Sequence, residues 1–162
     1  MRPGARRAGS TRCAGLAAAV ALAALPLFAA EFRATAEAPA LLYDGPSAKA
    51  RPLFVYGKDV PFEVLVSVEG WVKVRDVSGT IGWIATKSLA DRRVLLVRVP
   101  VADVRASPEE TATVVFRAEQ NVVLELAEAA ASAAATEMPG WVKVRHRDGQ
   151  AGYVRIPQVF GL

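Results

Sequence analysis

Few side chains in this 162-residue chain are of a kind that performs covalent chemistry. His146 is its single histidine and Cys13 its single cysteine. His146 follows a strand-like run and lies near Asp148, with no second ligand at metal-binding spacing, so it reads as a solvated turn residue. Glu109 and Glu110 are adjacent, and adjacent side chains on an extended chain point apart. They therefore do not converge as an acid and a base. No Gly-x-Ser-x-Gly elbow and no Gly-rich phosphate loop occurs. What recurs is aromatic and basic. Trp71, Lys73 and Arg75 return as Trp141, Lys143 and Arg145, with Tyr43, Trp83 and Tyr153 as further aromatics. Rings and cations of this kind stack and anchor ligands. The expectation is a binding protein, not an enzyme, with no cofactor and no metal.

These residues sit in a phrase written twice. Gly70-Trp71-Val72-Lys73-Val74-Arg75 reappears seventy residues later as Gly140-Trp141-Val142-Lys143-Val144-Arg145. Gly79, Gly82, Trp83 and Ile84 match Gly149, Gly152, Tyr153 and Val154 at the same offset. A duplication of this length marks two copies of one small unit. Upstream the offset is sixty-two: Pro46 meets Pro108, Phe54 meets Phe116, Val60 meets Val122 and Phe62 meets Leu124. The difference places an eight-residue, Ala-rich insertion near 127–139 of the second copy. A lengthened surface loop costs little; a contact loop for a partner is the alternative.

Apolar residues after about position 40 alternate in short runs broken by Gly, Pro and Asp, which predicts β-strands. The first copy has candidates at 41–44, 53–56, 62–68, 71–75 and 81–84. The second has 101–105, 113–117, 122–126, 141–146 and 151–155. The run 94–99 is a further strand that bridges the copies and could pair with both. Side chains alternate along a strand, so Val72, Val74, Val142 and Val144 face a core and the Trp, Lys and Arg residues face outward. An outward tryptophan is either a cap folded over the end of the core or the floor of a ligand groove. Asp148-Gly149 predicts a two-residue hairpin turn. Gly82 and Gly152, inside strands, predict a bulge or a close backbone approach.

The N-terminus has the three parts of a secretory signal: Arg2, Arg6, Arg7 and Arg12, then an uncharged apolar run from Cys13 to Ala30, then small residues. Cleavage after Ala36 is the expected site, with Ala30 as the alternative. Residues 1–36 are thus assigned to the signal, 37–91 to the first unit and 92–162 to the second. Cys13 starts the apolar run rather than ending it, which does not fit lipidation. The chain's charge of +4 resides in the signal. Residues 37–162 carry fifteen basic and fifteen acidic residues, leaving no basic stripe for nucleic acid. An exported, periplasmic protein without stable membrane insertion after cleavage is expected.

The unit Gly-Trp-Val-Lys-Val-Arg, a Gly turn, then Gly-Trp/Tyr-Ile/Val resembles the C-terminal half of bacterial SH3-like domains. Tyr43-Asp44-Gly45-Pro46-Ser47 and Val104-Arg105-Ala106-Ser107-Pro108 resemble their opening. The resemblance covers nearly all of 40–160. It implies an all-β chain of two tandem SH3-like small barrels, each of about five strands, packed together. The chain is similar to small exported proteins made of two such domains. It further implies binding of peptidoglycan or an envelope protein, a peptide-like ligand, through Tyr43, Trp71, Lys73, Arg75, Trp83, Trp141, Lys143, Arg145 and Tyr153. The alternative is a structural adaptor, or an accessory subunit of a wall hydrolase that does not itself touch the wall. Ala40-Leu41-Leu42-Tyr43-Asp44 and Gly152-Tyr153-Val154 also resemble eukaryotic SH3 segments that line a groove for Pro-rich peptides. The second Tyr of the first motif and the acidic loop after it are missing here.

Overall fold

The computed structural model describes residues 30–127 and 139–162. The apolar N-terminal segment and most of the Ala-rich insertion lie outside these residues. Two antiparallel sheets of seven strands follow one another along the chain. The first contains β1 (Glu31–Thr35), β2 (Ala40–Tyr43), β3 (Pro52–Tyr56), β4 (Pro61–Val68), β5 (Trp71–Arg75), β6 (Ile81–Ala85) and the short β7 (Leu89–Ala90). The second contains β8 (Val94–Val97), β9 (Val101–Arg105), β10 (Val114–Glu119), β11 (Val123–Leu126), β12 (Trp141–Arg145), β13 (Ala151–Arg155) and β14 (Val159–Phe160). Strand order is the same in both: β3-β2-β6-β5-β4-β1-β7 and β10-β9-β13-β12-β11-β8-β14. A single 3₁₀ turn, Thr86–Ser88 or Ile156–Gln158, leads into the last strand of each.

Strand parity places the core as the alternation requires. Val72 and Val74 are buried with Leu42, Phe62 and Ile84. Val142 and Val144 are buried with Val104, Leu124 and Val154. The two glycines inside strands mark a close backbone approach. A Cβ on Gly82 would stand 2.6 Å from the Leu42 side chain, and one on Gly152 would stand 2.6 Å from the Arg105 carbonyl. The hairpin turns are one residue longer than a two-residue loop. Asp76 bonds to Thr80 and His146 to Gln150, enclosing three residues whose last, Gly79 or Gly149, has φ of +91° or +94°. That is a turn closed by a left-handed glycine, the three-residue hairpin form.

Three sequence expectations are corrected. First, residues 31–35, which the sequence reading placed in the leader, form a strand of the first sheet. β1 pairs with β4 and β7, and Ala34 and Thr35 are fully buried. A chain starting at Glu37 would lack this strand. Second, each sheet has seven strands because β1 and β8, and the two-residue β7 and β14, join the five expected. Third, β8 hydrogen-bonds only within the second sheet, to β11 and β14. It nevertheless touches both units, since it also packs against β4 of the first, and all four of its residues are buried. Leu95 and Val97 enter the second core, so Val94 and Leu96 face the other way, toward the first unit.

Other contacts join the units. Phe32 meets Phe160 edge-to-face with centroids 5.3 Å apart. A Cβ on Gly161 would stand 3.2 Å from Pro61. Arg92, in the connection, reaches Asp59 of the first unit at 2.7 Å and Glu125 of the second at 3.3 Å.

Candidate functional site

In the first unit the singled-out residues are neighbours across three strands, with Tyr43 of β2 directly across from Trp83 of β6. Trp71 lies across from Ala85, and Lys73 across from Trp83. Trp71 turns toward β2 and packs edge-to-face on Tyr43, with centroids 5.5 Å apart. Lys73 places its ammonium 5.9 Å from the Trp83 ring, a cation–π contact next to the Tyr43–Trp71 pair. Arg75 is bound to Glu63 at 3.0 Å. Tyr43 and Trp71 line a common cavity.

That cavity is a groove of about 640 Å³, lined by Pro39, Leu41, Tyr43 and Trp71 on one side and by Ala85 to Ser88 on the other. Its residues come from β2, β5, the end of β6 and the following 3₁₀ turn. The wall is mainly apolar, with two half-buried rings held at right angles. Such a surface takes extended, partly apolar chains, since flat rings supply contact area with little entropy to lose.

The second unit builds a cleft of about 480 Å³ in the same place, from different residues. Applying the sixty-two and seventy offsets, Asp103 stands for Leu41, Arg105 for Tyr43, Glu110 for Ala48, Trp141 for Trp71 and Arg155 for Ala85. Trp141 is 7% exposed, because the Arg155 guanidinium lies over its ring at 5.2 Å. Arg155 is in turn ion-paired with Glu110. Arg105 is fixed by the Ala112 carbonyl at 2.8 Å and by Asp103 at 3.0 Å. Lys143 and Tyr153 face each other across β12 and β13, and Arg145 is exposed opposite Ala151. None of these three lines the cleft.

The copies also differ at the distal hairpin. In the first, Asp76 accepts hydrogen bonds from the Tyr56 hydroxyl at 2.7 Å, from the Ser78 amide and hydroxyl, and from the Thr80 amide. Burial alone would raise the Asp76 carboxyl, but these donors outweigh it and hold the group below its ordinary range. Burial, then the bond to Asp76 and its charge, push the Tyr56 phenol upward. In the second copy His146 stands at the Asp76 position and Ala118 at the Tyr56 position. His146 is less solvated than a free turn residue. It packs on Phe116 at 5.8 Å and its Nδ1 lies 2.9 Å from Asp148. Among the described residues, no three of His, Cys, Asp and Glu gather to hold a metal ion.

A family model described as bacterial SH3 domain matches residues 36–91 and, again, 98–161. The chain belongs to the bacterial SH3 domain family. Its two SH3 domains correspond to the two sheets, although the first includes β1, just ahead of the matched stretch. No curated protein matches the chain at a significant level. Similar solved structures include NlpC2 from Trichomonas vaginalis, 17% identical over 80% of this chain and 46% of that one, with a TM-score of 0.33. NlpC1 from the same organism is 17% identical over 85% and 48%, with a TM-score of 0.34. A NlpC/P60 family protein from Bacillus cereus is 15% identical over 80% and 55%, with a TM-score of 0.34. The chain spans about half the length of the structures it matches.

Sequence reasoning found the aromatic pair of the first SH3 domain but missed the apolar walls around it and the charged cluster of the second. Asp103, Arg105, Glu110 and Arg155 are ordinary surface charges when each is read alone. Aligning the copies at both offsets is the signal that gathers them.

Proposed function

We propose that this protein is an exported, non-catalytic binding protein of the cell envelope. Its first SH3 domain takes a peptide-like segment of peptidoglycan or of an envelope protein in the groove between Tyr43 and Trp71. The observation that carries this reading is that right-angled aromatic pair, set in an apolar groove of about 640 Å³. Membership of the bacterial SH3 family and the signal-like N-terminus support the location. The test is co-sedimentation with purified peptidoglycan sacculi at low salt. Wild type should pellet, and Trp71→Ala should lose about 2 kcal/mol of affinity, roughly thirtyfold, as anchors of this kind do, while its thermal midpoint holds. Failure of the wild type to pellet, or of Trp71→Ala to weaken it, overturns the wall-binding reading.

The alternative, a structural role for the repeated tryptophan, is favoured in the second domain. There Trp141 is nearly buried and covered by Arg155. The two copies of one residue thus divide: Trp71 is the groove wall and Trp141 the cap.

A further inference from the structure

We propose that the cleft of the second SH3 domain is a carboxylate-binding site. Arg155, held over the Trp141 ring, takes the carboxylate of a ligand in exchange for Glu110. This site is chemically distinct from the apolar groove and does not depend on what that groove binds.

Three features carry the inference. The first is the platform. A cation–π contact with the indole, at 5.2 Å, positions the Arg155 guanidinium, whose forked N–H groups can grip a carboxylate with two parallel bonds. The second is exposure. The side chains of Arg155 and Glu110 are 44% and 60% exposed, whereas that of Arg105 is 19% exposed and engaged by Asp103 and a backbone carbonyl. Asp103 also binds Arg117 at 3.1 Å. The lower part of the cleft is therefore a fixed network, and the Arg155–Glu110 pair is its open, replaceable edge. Exposed ion pairs are weakly held and readily exchanged.

The third feature is the sister domain, which serves as a control. It folds into the same sheet with Ala85 and Ala48 at the positions of Arg155 and Glu110. The scaffold does not need this ion pair, and in the first domain its absence leaves an open apolar groove. In the second, Glu110 projects from the turn between β9 and β10 into a cleft that still holds about 480 Å³. It occupies the cation as a tethered stand-in for an acidic ligand.

The test uses the purified protein and two probes: acetyl-Ala-Ala with a free C-terminal carboxylate, and its carboxamide. Nitrogen-15 NMR follows the Trp141 indole N–H and the Arg155 Nε–H. The acid should move both resonances saturably and the amide should not. Glu110→Gln removes the competing charge, keeps the shape and should tighten binding of the acid by about threefold, the scale of an exposed pair. Arg155→Gln, checked for folding by its dispersed spectrum, should abolish the response to the acid. Equal titration by acid and amide overturns the proposal. So does an unchanged or weaker affinity in Glu110→Gln, or the absence of any saturable shift in that variant. The sacculus assay on Trp71 reports on the other domain, so the two readings can fail separately.

Discussion

Thr35 offers a quantitative test, because the second domain already contains the substituted form. Thr35 is fully buried in β1. Its hydroxyl donates to the Gly57 carbonyl at 2.7 Å and accepts from the Val60 amide at 2.8 Å. Thr35→Val conserves the shape and removes both bonds. If the backbone stayed fixed, two buried polar groups would lose their partner, at about 1–3 kcal/mol each. The second domain indicates relaxation instead. Val97 occupies the equivalent site, and the flanking bonds are preserved: Val97 to Val122 at 3.0 Å matches Thr35 to Val60 at 3.0 Å. There the turn closes on itself, with the Val122 amide donating directly to the Glu119 carbonyl at 3.1 Å. Asp59 and Asn121, in the two turns, share a left-handed φ of 61° and 68°. The turn 57–60 can therefore close in the same manner once the hydroxyl is gone. The expected loss is about 1–2 kcal/mol, the net worth of the hydroxyl's bonds after one is replaced. Urea unfolding at constant m-value measures it. If the first domain melts as its own unit, each kcal/mol lowers its midpoint by roughly 4–8 °C. A loss above about 4 kcal/mol, near the fixed-backbone figure, would refute the relaxation argument, and so would no loss at all.

Other outcomes follow from the same structure. N-terminal sequencing of the exported protein should find its first residue at or before Glu31, and a chain starting at Glu37 should show a disrupted first domain in NMR spectra. Asp76 is held below its ordinary value of 3.8 when folded, so its contribution is complete above that pH and is lost as pH falls below it. Thermal scans between pH 7 and pH 2 should show this acid-side loss in wild type and a smaller one in Asp76→Asn. Asp76→Ala should cost about 2–4 kcal/mol at pH 7, because it strands the Tyr56 hydroxyl and two amides. Gly152→Ala drives a methyl into the Arg105 carbonyl, and denaturant titration should show a loss of about 1–3 kcal/mol or more.

The repeated phrase was readable because its alternation is strong: Val72, Val74, Val142 and Val144 lie inside as their spacing dictates. β1 was hidden by its context. Glu-Phe-Arg-Ala-Thr follows an Ala-rich run, and the Ala34-Thr35-Ala36 triplet overlapping its end reads as a cleavage signal. Its status as a strand depends on β4, whose paired residues lie twenty-seven or more positions away. The two-residue β7 and β14 are too short to carry any pattern. Parity correctly put Trp71, Lys73 and Arg75 on one side of a strand. It could not show that Trp71 turns toward Tyr43 while Lys73 turns toward Trp83, since that depends on the neighbouring strands. The charged cleft is assembled from β9, the following turn, β12 and β13, a juxtaposition that lies in the topology and not in any local stretch.

The docking of the two domains has a consequence for how long such a chain can grow. The first domain meets its neighbour with Phe32 of β1 and with Pro61; the second uses Val94 and Leu96 of β8 with Phe160 of β14. β1 and β8 are equivalent strands, so each copy spends the same flank on the other. A contact built from like surfaces closes when two bodies meet. Solenoid repeats instead offer unlike surfaces fore and aft and can be extended indefinitely. A further copy could not dock through the β1 and β8 flanks, because this pair already covers them.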